Sequence, residues 1–127
     1  MTDSTLEGKS EALRRVRRSL GKLARRAPAT SRAFGELHKA TQRAGALDSR
    51  TKELIALAIG VATKCDDCVV YHTADAKAAG ATDEQIVEAV EVAVMMGGGT
   101  ALVYASRVLD MLESSGAIGG ARSRSAD

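Results

Sequence analysis

An all-α helical fold is predicted by the apolar pattern and the composition of this sequence. Apolar residues recur every three or four positions along most of the chain, as on one face of an α-helix, and no stretch alternates apolar with polar residues as a strand does. Hydrophobic residues make up 45% of the 127 residues but aromatic residues only 2%, so Ala, Val, Leu, Ile and Met must build the core. We therefore expect one closely packed helical domain that self-associates, since so short a chain cannot cover all of its apolar surface alone.

The first helix is predicted in a basic segment, residues 1–29, and ends near Pro28. Its apolar residues at helical spacing are Leu13, Val16, Leu20 and Leu23. A run of Arg and Lys can indicate binding to nucleic acid or to an anionic membrane. The whole chain, however, has 18 basic and 16 acidic residues, and no aromatic residue lies among the basic ones to stack on bases. We therefore predict a solvated face that also contacts a neighbouring subunit, with neither nucleic acid nor a membrane as partner.

The predicted core domain, residues 30–113, begins with two helices. The first covers about residues 30–43, and Asp48 or Ser49 can cap the second. This second helix contains residues 54–63, a run without a charged side chain, so we expect it to be buried. The run is too short to span a bilayer.

Glu53 lies at the head of that buried helix. It shares a narrow strip of the helix surface with Ala56 and Gly60, whose small size would let another helix approach closely. We expect a carboxylate at such a buried edge to act as a base towards groups on the approaching helix.

The next helix contains both cysteines of the chain and is predicted to end at Gly80. Thr63 and Asp66 have the spacing of a capping box, which would place the cysteines in its first turns. In that position the free N–H groups and the helix dipole stabilise a thiolate.

Cys65, Cys68 and His72 are predicted to share one face of this helix, at positions i, i+3 and i+7. Cα atoms three residues apart on a helix are about 5 Å from each other, which a disulfide allows. We therefore predict a reversible disulfide within one chain. Asp66 and Asp67, between the cysteines, are predicted to face water.

Two more helices complete the predicted domain. Thr82 and Gln85 form a capping box at the start of a helix whose inward residues are Ile86, Val90, Ala93 and Val94. The three glycines at 97–99 interrupt the chain, and the inward residues of the last helix are Leu102, Ala105, Val108, Leu109 and Leu112. Residues 114–127 are rich in Gly, Ser, Ala and Arg and have little to bury, so we predict a disordered tail.

Four stretches within residues 30–113 match a known family. They are residues 52–58 with Glu53, the motif Cys65-x-x-Cys68-x-x-x-His72, residues 76–86 around Gly80, and residues 96–99. On these positions the chain resembles the alkylhydroperoxidase D branch of the carboxymuconolactone decarboxylase superfamily. The resemblance implies an all-helical antioxidant protein that assembles as a trimer or hexamer and needs no metal or organic cofactor.

Carried over by position, the resemblance also implies a role for each site residue. Cys68 is the attacking thiolate, Cys65 the resolving thiol, His72 the proton relay, and Glu53 the base that acts through His72. Cys68 and His72 agree with this assignment, because they are an i, i+4 pair on a helix. The implied activity is reduction of a hydroperoxide, or exchange with the disulfide of a partner protein, with an external dithiol as reductant.

Other interpretations of the same residues stay open. The cysteines could be two small buried hydrophobes, or Cys65, Cys68, His72 and Glu53 could hold zinc, although three ligands from one short helical face crowd a tetrahedral centre. The chain could decarboxylate a small lactone acid, as the namesake of the superfamily does without a dithiol, or be a non-enzymatic sensor whose disulfide switches assembly. A charged N-terminus, unlike a signal peptide, favours the cytoplasm, where a cysteine pair is more often catalytic or metal-binding than structural. His38 is predicted to be a surface histidine.

Overall fold

The computed structural model describes residues 4–119, and for residues 11–113 it also describes the surroundings of the side chains. All regular secondary structure in this part of the chain is helical, which confirms the all-α prediction. The helices are α1 (Ser4–Arg26), α2 (Pro28–Gln42), α3 (Ser49–Ala62), α4 (Asp66–Ala78), α5 (Asp83–Gly97) and α6 (Gly99–Gly119). None of them combines the length and the hydrophobicity that a helix needs to cross a membrane.

The helices α1 and α2 contact each other and leave much of their apolar surface exposed. Proline begins α2, a position that suits it because the first N–H groups of a helix have no partner within the helix. On α1, Val16 is buried, whereas Leu20 and Leu23 are 50% and 54% exposed. The apolar residues at helical spacing on α1 are therefore buried only in part. The reason is that α2 has no buried residue and so offers them no core to enter.

The core lies between α3, α4, α5 and α6, and α3 contacts each of the other three. Its buried members are all aliphatic: Leu57, Val61, Val69, Ala76, Ala81, Ile86, Val90, Ala93, Ala101, Ala105, Val108 and Leu112. Burying one Val, Leu or Ile side chain stabilises a fold by about 1.5–3 kcal/mol, so this cluster accounts for much of the driving force. The predicted inward residues of α5 are confirmed, since three are buried and Val94 packs against the cluster.

The last helix, α6, uses only part of its predicted apolar face. Ala105, Val108 and Leu112 are buried, but Leu102 and Leu109 are 59% and 37% exposed, so the prediction is wrong for these two. Each follows a buried residue by one position, which turns it about 100° around the helix axis and away from the core. Both instead line an open apolar groove of about 420 Å³ between α5 and α6.

Local side-chain chemistry sets several helix ends. The carboxylate of Asp48 accepts the N–H of Thr51 at 2.7 Å, which makes it the N-cap of α3. Thr82 and Gln85 form the predicted capping box at the start of α5, with both hydrogen bonds at 3.0 Å. Gly98, with a φ of 77°, separates α5 from α6 in a backbone conformation that glycine adopts readily.

The helix α6 continues to Gly119. Residues 114–119 are therefore helical, although the sequence predicts a disordered tail over residues 114–127. The remainder of that tail, residues 120–127, lies outside the described residues.

Candidate functional site

The turn between α3 and α4 places the two cysteines. Thr63 follows the end of α3 and donates its hydroxyl hydrogen to a carbonyl of the last turn at 2.8 Å, and Lys64 takes a left-handed conformation with a φ of 58°. Cys65 is then the N-cap of α4, where its sulfur accepts the N–H of Cys68 at 3.3 Å. The predicted capping box of Thr63 and Asp66 is wrong, because the Thr63 hydroxyl is engaged at the end of α3.

Cys65 and Cys68 are joined by a disulfide, with their Cα atoms 5.2 Å apart, as the spacing predicts. Both cysteines are partly buried, whereas Asp66 and Asp67 between them are exposed as predicted. In this oxidised state the sulfurs are not available as thiolate ligands, so His72 would be left with at most one carboxylate from the zinc set that the sequence left open. The bonded pair favours redox chemistry over the interpretation as two unreactive hydrophobes.

Glu53 and His72 meet between α3 and α4. Glu53 is only 7% exposed, and its Oε1 lies 3.3 Å from Nδ1 of His72. In the neutral tautomer whose Nδ1–H donates a hydrogen bond to the Glu53 carboxylate, Nε2 of His72 has no proton and can accept one from another group. The structure thus brings two of the four predicted site residues into one hydrogen-bonded pair, with His72 on the helix that begins at the cysteines and Glu53 on α3.

Gly60 allows α3 and α4 to approach each other closely. A Cβ atom built on Gly60 would lie 3.2 Å from the Cβ atom of Cys68, which is tighter than an ordinary contact. The expectation that small residues on the face of Glu53 admit another helix is therefore confirmed. A larger residue at this position would separate the helix of Glu53 from the helix of Cys68.

Two further ionisable side chains approach Glu53, and sequence reasoning missed both. The nearest side-chain N and O atoms of His38 on α2, Glu53 on α3 and Asp75 on α4 lie within 4.8 Å of one another. Nε2 of His38 is buried and has no hydrogen-bond partner among the described residues, so the prediction of a surface histidine is wrong. Burial raises the pKa of Asp75, and the negative charge of Glu53 raises that pKa further.

The sequence contained a signal for only one of these two residues. Asp75 follows His72 by three positions on the same helix, which places both on one face. His38 gave no such signal, because the face of α2 that meets α3 depends on tertiary packing.

The first turn of α4 is tied to α6 through Asp66. Its carboxylate accepts a hydrogen bond from Arg107, whose guanidinium carbon lies 4.8 Å from the centre of the Tyr104 ring. Both charged side chains are about half exposed, so the ion pair contributes no more than about 1 kcal/mol. Its effect is to place a positive charge beside one of the two aspartates that lie between the cysteines.

Comparison with known sequences relates the chain to one family. The model of the Carboxymuconolactone decarboxylase family matches residues 28–111. An uncharacterized protein of Cupriavidus necator is 41% identical over 97 residues, which make up 76% of this chain and 86% of the relative. The uncharacterized protein 4 in the cox locus of Paracoccus denitrificans is 41% identical over 95 residues, with 75% of this chain and 86% of the relative covered.

Solved structures show the same fold at moderate sequence identity. A carboxymuconolactone decarboxylase family protein from Legionella pneumophila, in its apo form, is 36% identical and superimposes with a TM-score of 0.79 over 84% of this chain and 96% of its own. A protein of this family from Thermotoga maritima, for which involvement in the antioxidative response has been suggested, is 33% identical with a TM-score of 0.74 over 85% of this chain and 94% of its own.

Proposed function

Because this chain belongs to the carboxymuconolactone decarboxylase family, we propose that it is an alkylhydroperoxidase D-like thiol oxidoreductase that reduces hydroperoxides. The observation that supports this most directly is the disulfide at the start of α4 together with the hydrogen bond between His72, further along α4, and Glu53 on α3. A dithiol that closes within one chain and a base near it are the two parts that thiol-dependent peroxide reduction needs. The antioxidative involvement suggested for the Thermotoga relative agrees with this chemistry.

The oxidative half of the proposed cycle begins with both cysteines reduced. His72, held by Glu53, takes the proton of the Cys68 thiol, and the thiolate attacks the distal oxygen of the hydroperoxide. The O–O bond breaks, the alcohol leaves with a proton, and Cys68 becomes a sulfenic acid. The Cys65 thiol then attacks this sulfur, water leaves, and the disulfide forms. Two thiols have lost two electrons, and the hydroperoxide has gained them.

The reductive half requires an external dithiol, which is itself oxidised to a disulfide. A thiolate of the reductant attacks one sulfur of the Cys65–Cys68 bond, and the other sulfur leaves as a thiolate. Cys65 is the better leaving group, because its sulfur accepts the N–H of Cys68 at the positive end of α4. The sulfur of Cys68 is therefore the one attacked in both halves of the cycle, by Cys65 in the first and by the reductant in the second. These roles for the two cysteines are the ones that the resemblance implies.

Consumption of hydroperoxide over many turnovers tests this function. Dithiol reductants are supplied one at a time to the wild type and to Cys68→Ser, with circular dichroism to confirm that the variant is folded. Loss of many equivalents of hydroperoxide per chain, which disappears in Cys68→Ser, is the expected result. Oxidation that stops at one equivalent with every reductant would indicate a redox sensor instead.

A separate measurement addresses the reaction after which the family is named. Decarboxylation of a small lactone acid does not rely on a dithiol, so it would survive in a Cys65→Ser/Cys68→Ser double variant. We expect this protein to release no CO₂ from such acids. Release by both the wild type and the double variant would favour the decarboxylase.

A further inference from the structure

Glu53 connects two groups of ionisable side chains. Its Oε1 lies 3.3 Å from Nδ1 of His72, and its carboxylate also belongs to the cluster with His38 and Asp75, whose nearest atoms lie within 4.8 Å of one another. The cluster joins α2, α3 and α4. Neither His38 nor Asp75 is one of the positions on which the resemblance to the family rests.

The two carboxyl groups of this cluster cannot be independent of each other. Because the two carboxyl groups are close together and partly removed from water, the negative charge of Glu53 favours the protonated form of Asp75. Burial and the charge of Glu53 raise the pKa of Asp75, whereas His72 on α4, His38 on α2 and Arg17 on α1 act in the opposite direction. Asp75 therefore keeps its proton at pH values at which an exposed aspartate has lost it.

The distances allow protons to move within the cluster. Proton transfer needs either a direct hydrogen bond or one bridging water molecule. Two polar atoms separated by up to 4.8 Å can be bridged by one water or brought together by rotation of a side chain. His38 can take part because its buried Nε2 has no hydrogen-bond partner among the residues described.

From this arrangement we infer that Asp75 and His38 are positioning residues which turn Glu53 and His72 into a proton store for the cysteines. This inference rests on the proposed function. The proton that leaves the Cys68 thiol passes through His72 to the Glu53–Asp75 carboxyl pair and returns to the alkoxide oxygen when the O–O bond breaks. The step therefore neither takes up a proton from water nor releases one to it. When His38 is protonated, its positive charge favours the ionised form of Asp75. The Glu53–Asp75 pair can then accept the proton that the Cys68 thiol releases.

The pH profile of one turnover tests this role. Reduced protein is mixed with one equivalent of hydroperoxide, and the rate of sulfenic acid formation is followed from acid to neutral pH. Asp75→Asn should move the acid limb of the profile to lower pH, because the carboxyl group with the raised pKa is removed from beside Glu53. His38→Gln should move it to higher pH. Each shift should be about one pH unit, the size expected for a charge at a distance of about 5 Å.

Two controls separate this role from a structural one. Asp75→Glu keeps the carboxyl group and should restore the wild-type limb. Asp83→Asn makes the same change of charge at a partly exposed residue that pairs with Lys77 at 2.6 Å, and it should leave the profile unchanged. Rates that fall in Asp75→Asn and His38→Gln at all pH values, with no movement of the limb, would overturn the inference.

A measurement without peroxide keeps this inference distinct from the proposed function. The titration of the Asp75 carboxyl carbon is followed by NMR in oxidised protein. Glu53→Gln should lower the pKa of Asp75 because a like charge is removed, and His38→Gln should raise that pKa because a positive charge is removed. If neither variant changes the titration, the cluster is not coupled and the inference is wrong even if the protein reduces peroxide. If both change it in a protein that reduces no peroxide, the coupling stands and the proposed function fails.

Discussion

At the scale of single residues, the two sulfur atoms differ in their surroundings although they are bonded to each other. Cys65 caps α4 and accepts a backbone N–H, whereas Cys68 lies inside the first turn, against Gly60 of α3. Cys68 also precedes His72 by one helical turn, which places it nearer than Cys65 to the proposed base along the helix. These differences predict different behaviour for the two serine variants.

We expect Cys68→Ser to form no sulfenic acid and Cys65→Ser to accumulate one. In Cys65→Ser the attacking thiol is present, but no second thiol can resolve the sulfenic acid. Dimedone should therefore label Cys68 in Cys65→Ser after one equivalent of hydroperoxide. Equal labelling of Cys65 in Cys68→Ser would show that the order of attack is reversed.

Removing the base should slow the chemistry but preserve the fold. Glu53→Gln keeps the size of the side chain and loses its charge, and His72→Ala loses the imidazole that Glu53 orients. Each should slow turnover by about 10²-fold or more, the usual contribution of general acid–base catalysis. Stopped-flow measurement of hydroperoxide consumption gives the rate. Wild-type rates in both variants would contradict the role of the pair.

The raised pKa of Asp75 predicts a dependence of stability on pH. Folded protein keeps the Asp75 proton at pH values at which unfolded protein has released it, so the free energy of unfolding falls as pH rises from the ordinary value of 3.8 through the raised pKa. Asp75→Asn does not titrate and should gain stability over the wild type across this window. Urea unfolding at acid and neutral pH measures the difference.

Asp48→Asn is the control for this prediction, because its stability relative to the wild type should change with pH in the opposite direction. The hydrogen bond from Thr51 lowers the pKa of Asp48, so the stability that its charge contributes is present above pH 3.8 and is lost as pH falls through the lowered pKa. The variant should be less stable than the wild type at neutral pH and match it in acid. A stability difference for Asp75→Asn that does not change with pH would contradict the assignment.

How far single residues could be predicted depended on whether their partners lie nearby in sequence. The spacing of Cys65, Cys68 and His72 is local, so it was sufficient for the disulfide and for the helix face that they share. The contact between Glu53 and His72 was anticipated only because small residues follow Glu53 on α3. The position of His38 depends on how α2 rotates against α3, which no local pattern in the sequence specifies.

At the scale of helices, the boundaries follow from residues with strong local preferences. Asp48, Thr82 and Gly98 act at helix ends as predicted, because each works through its own side chain or its own φ. The start of α4 was predicted wrongly because Thr63 can bond forwards as a cap or backwards to α3. The backward bond prevails here, and it gives Cys65 the capping position.

The approach of α3 and α4 at Gly60 can be tested by enlarging that residue. Gly60→Val would place side-chain atoms against Cys68, and overpacking of this kind costs about 1–3 kcal/mol. The variant should have a lower free energy of unfolding and slower peroxide reduction, because α3 carries Glu53 and α4 carries its partner.

Gly35→Ala is the matched control for Gly60→Val. A Cβ atom at Gly35, in α2, meets no other atom within 4 Å. Relieving a helical glycine should therefore raise the free energy of unfolding by about 0.5–1 kcal/mol. Chemical denaturation of both variants measures the two changes. If Gly60→Val were as stable and as active as the wild type, the close approach would not matter.

At the scale of the whole molecule, the single chain leaves large apolar side chains in water. Met95 and Met96 on α5 are 72% and 74% exposed. Further exposed examples are Ile55, Ile59, Val92, Leu102 and Val103. Scattered exposed apolar residues are normal, but so many on α3, α5 and α6 are typical of surfaces that bind another protein. The low aromatic content predicted this, because small aliphatic residues cannot close a core of this size within one chain.

We therefore propose that the protein assembles from identical chains, as a trimer or hexamer, and is not a stable monomer. Light scattering coupled to gel filtration should give a mass that is a multiple of the 13.2 kDa of one chain. Ile59→Lys/Met96→Lys should lower this mass, since a charge in an apolar interface is costly, whereas Leu47→Lys, at an exposed leucine between α2 and α3, is the control.

Because α3 holds Glu53 against the helix of Cys68 and His72, dilution of the wild type should reduce activity before it reduces helicity. A wild-type mass of 13.2 kDa at every concentration would refute the assembly.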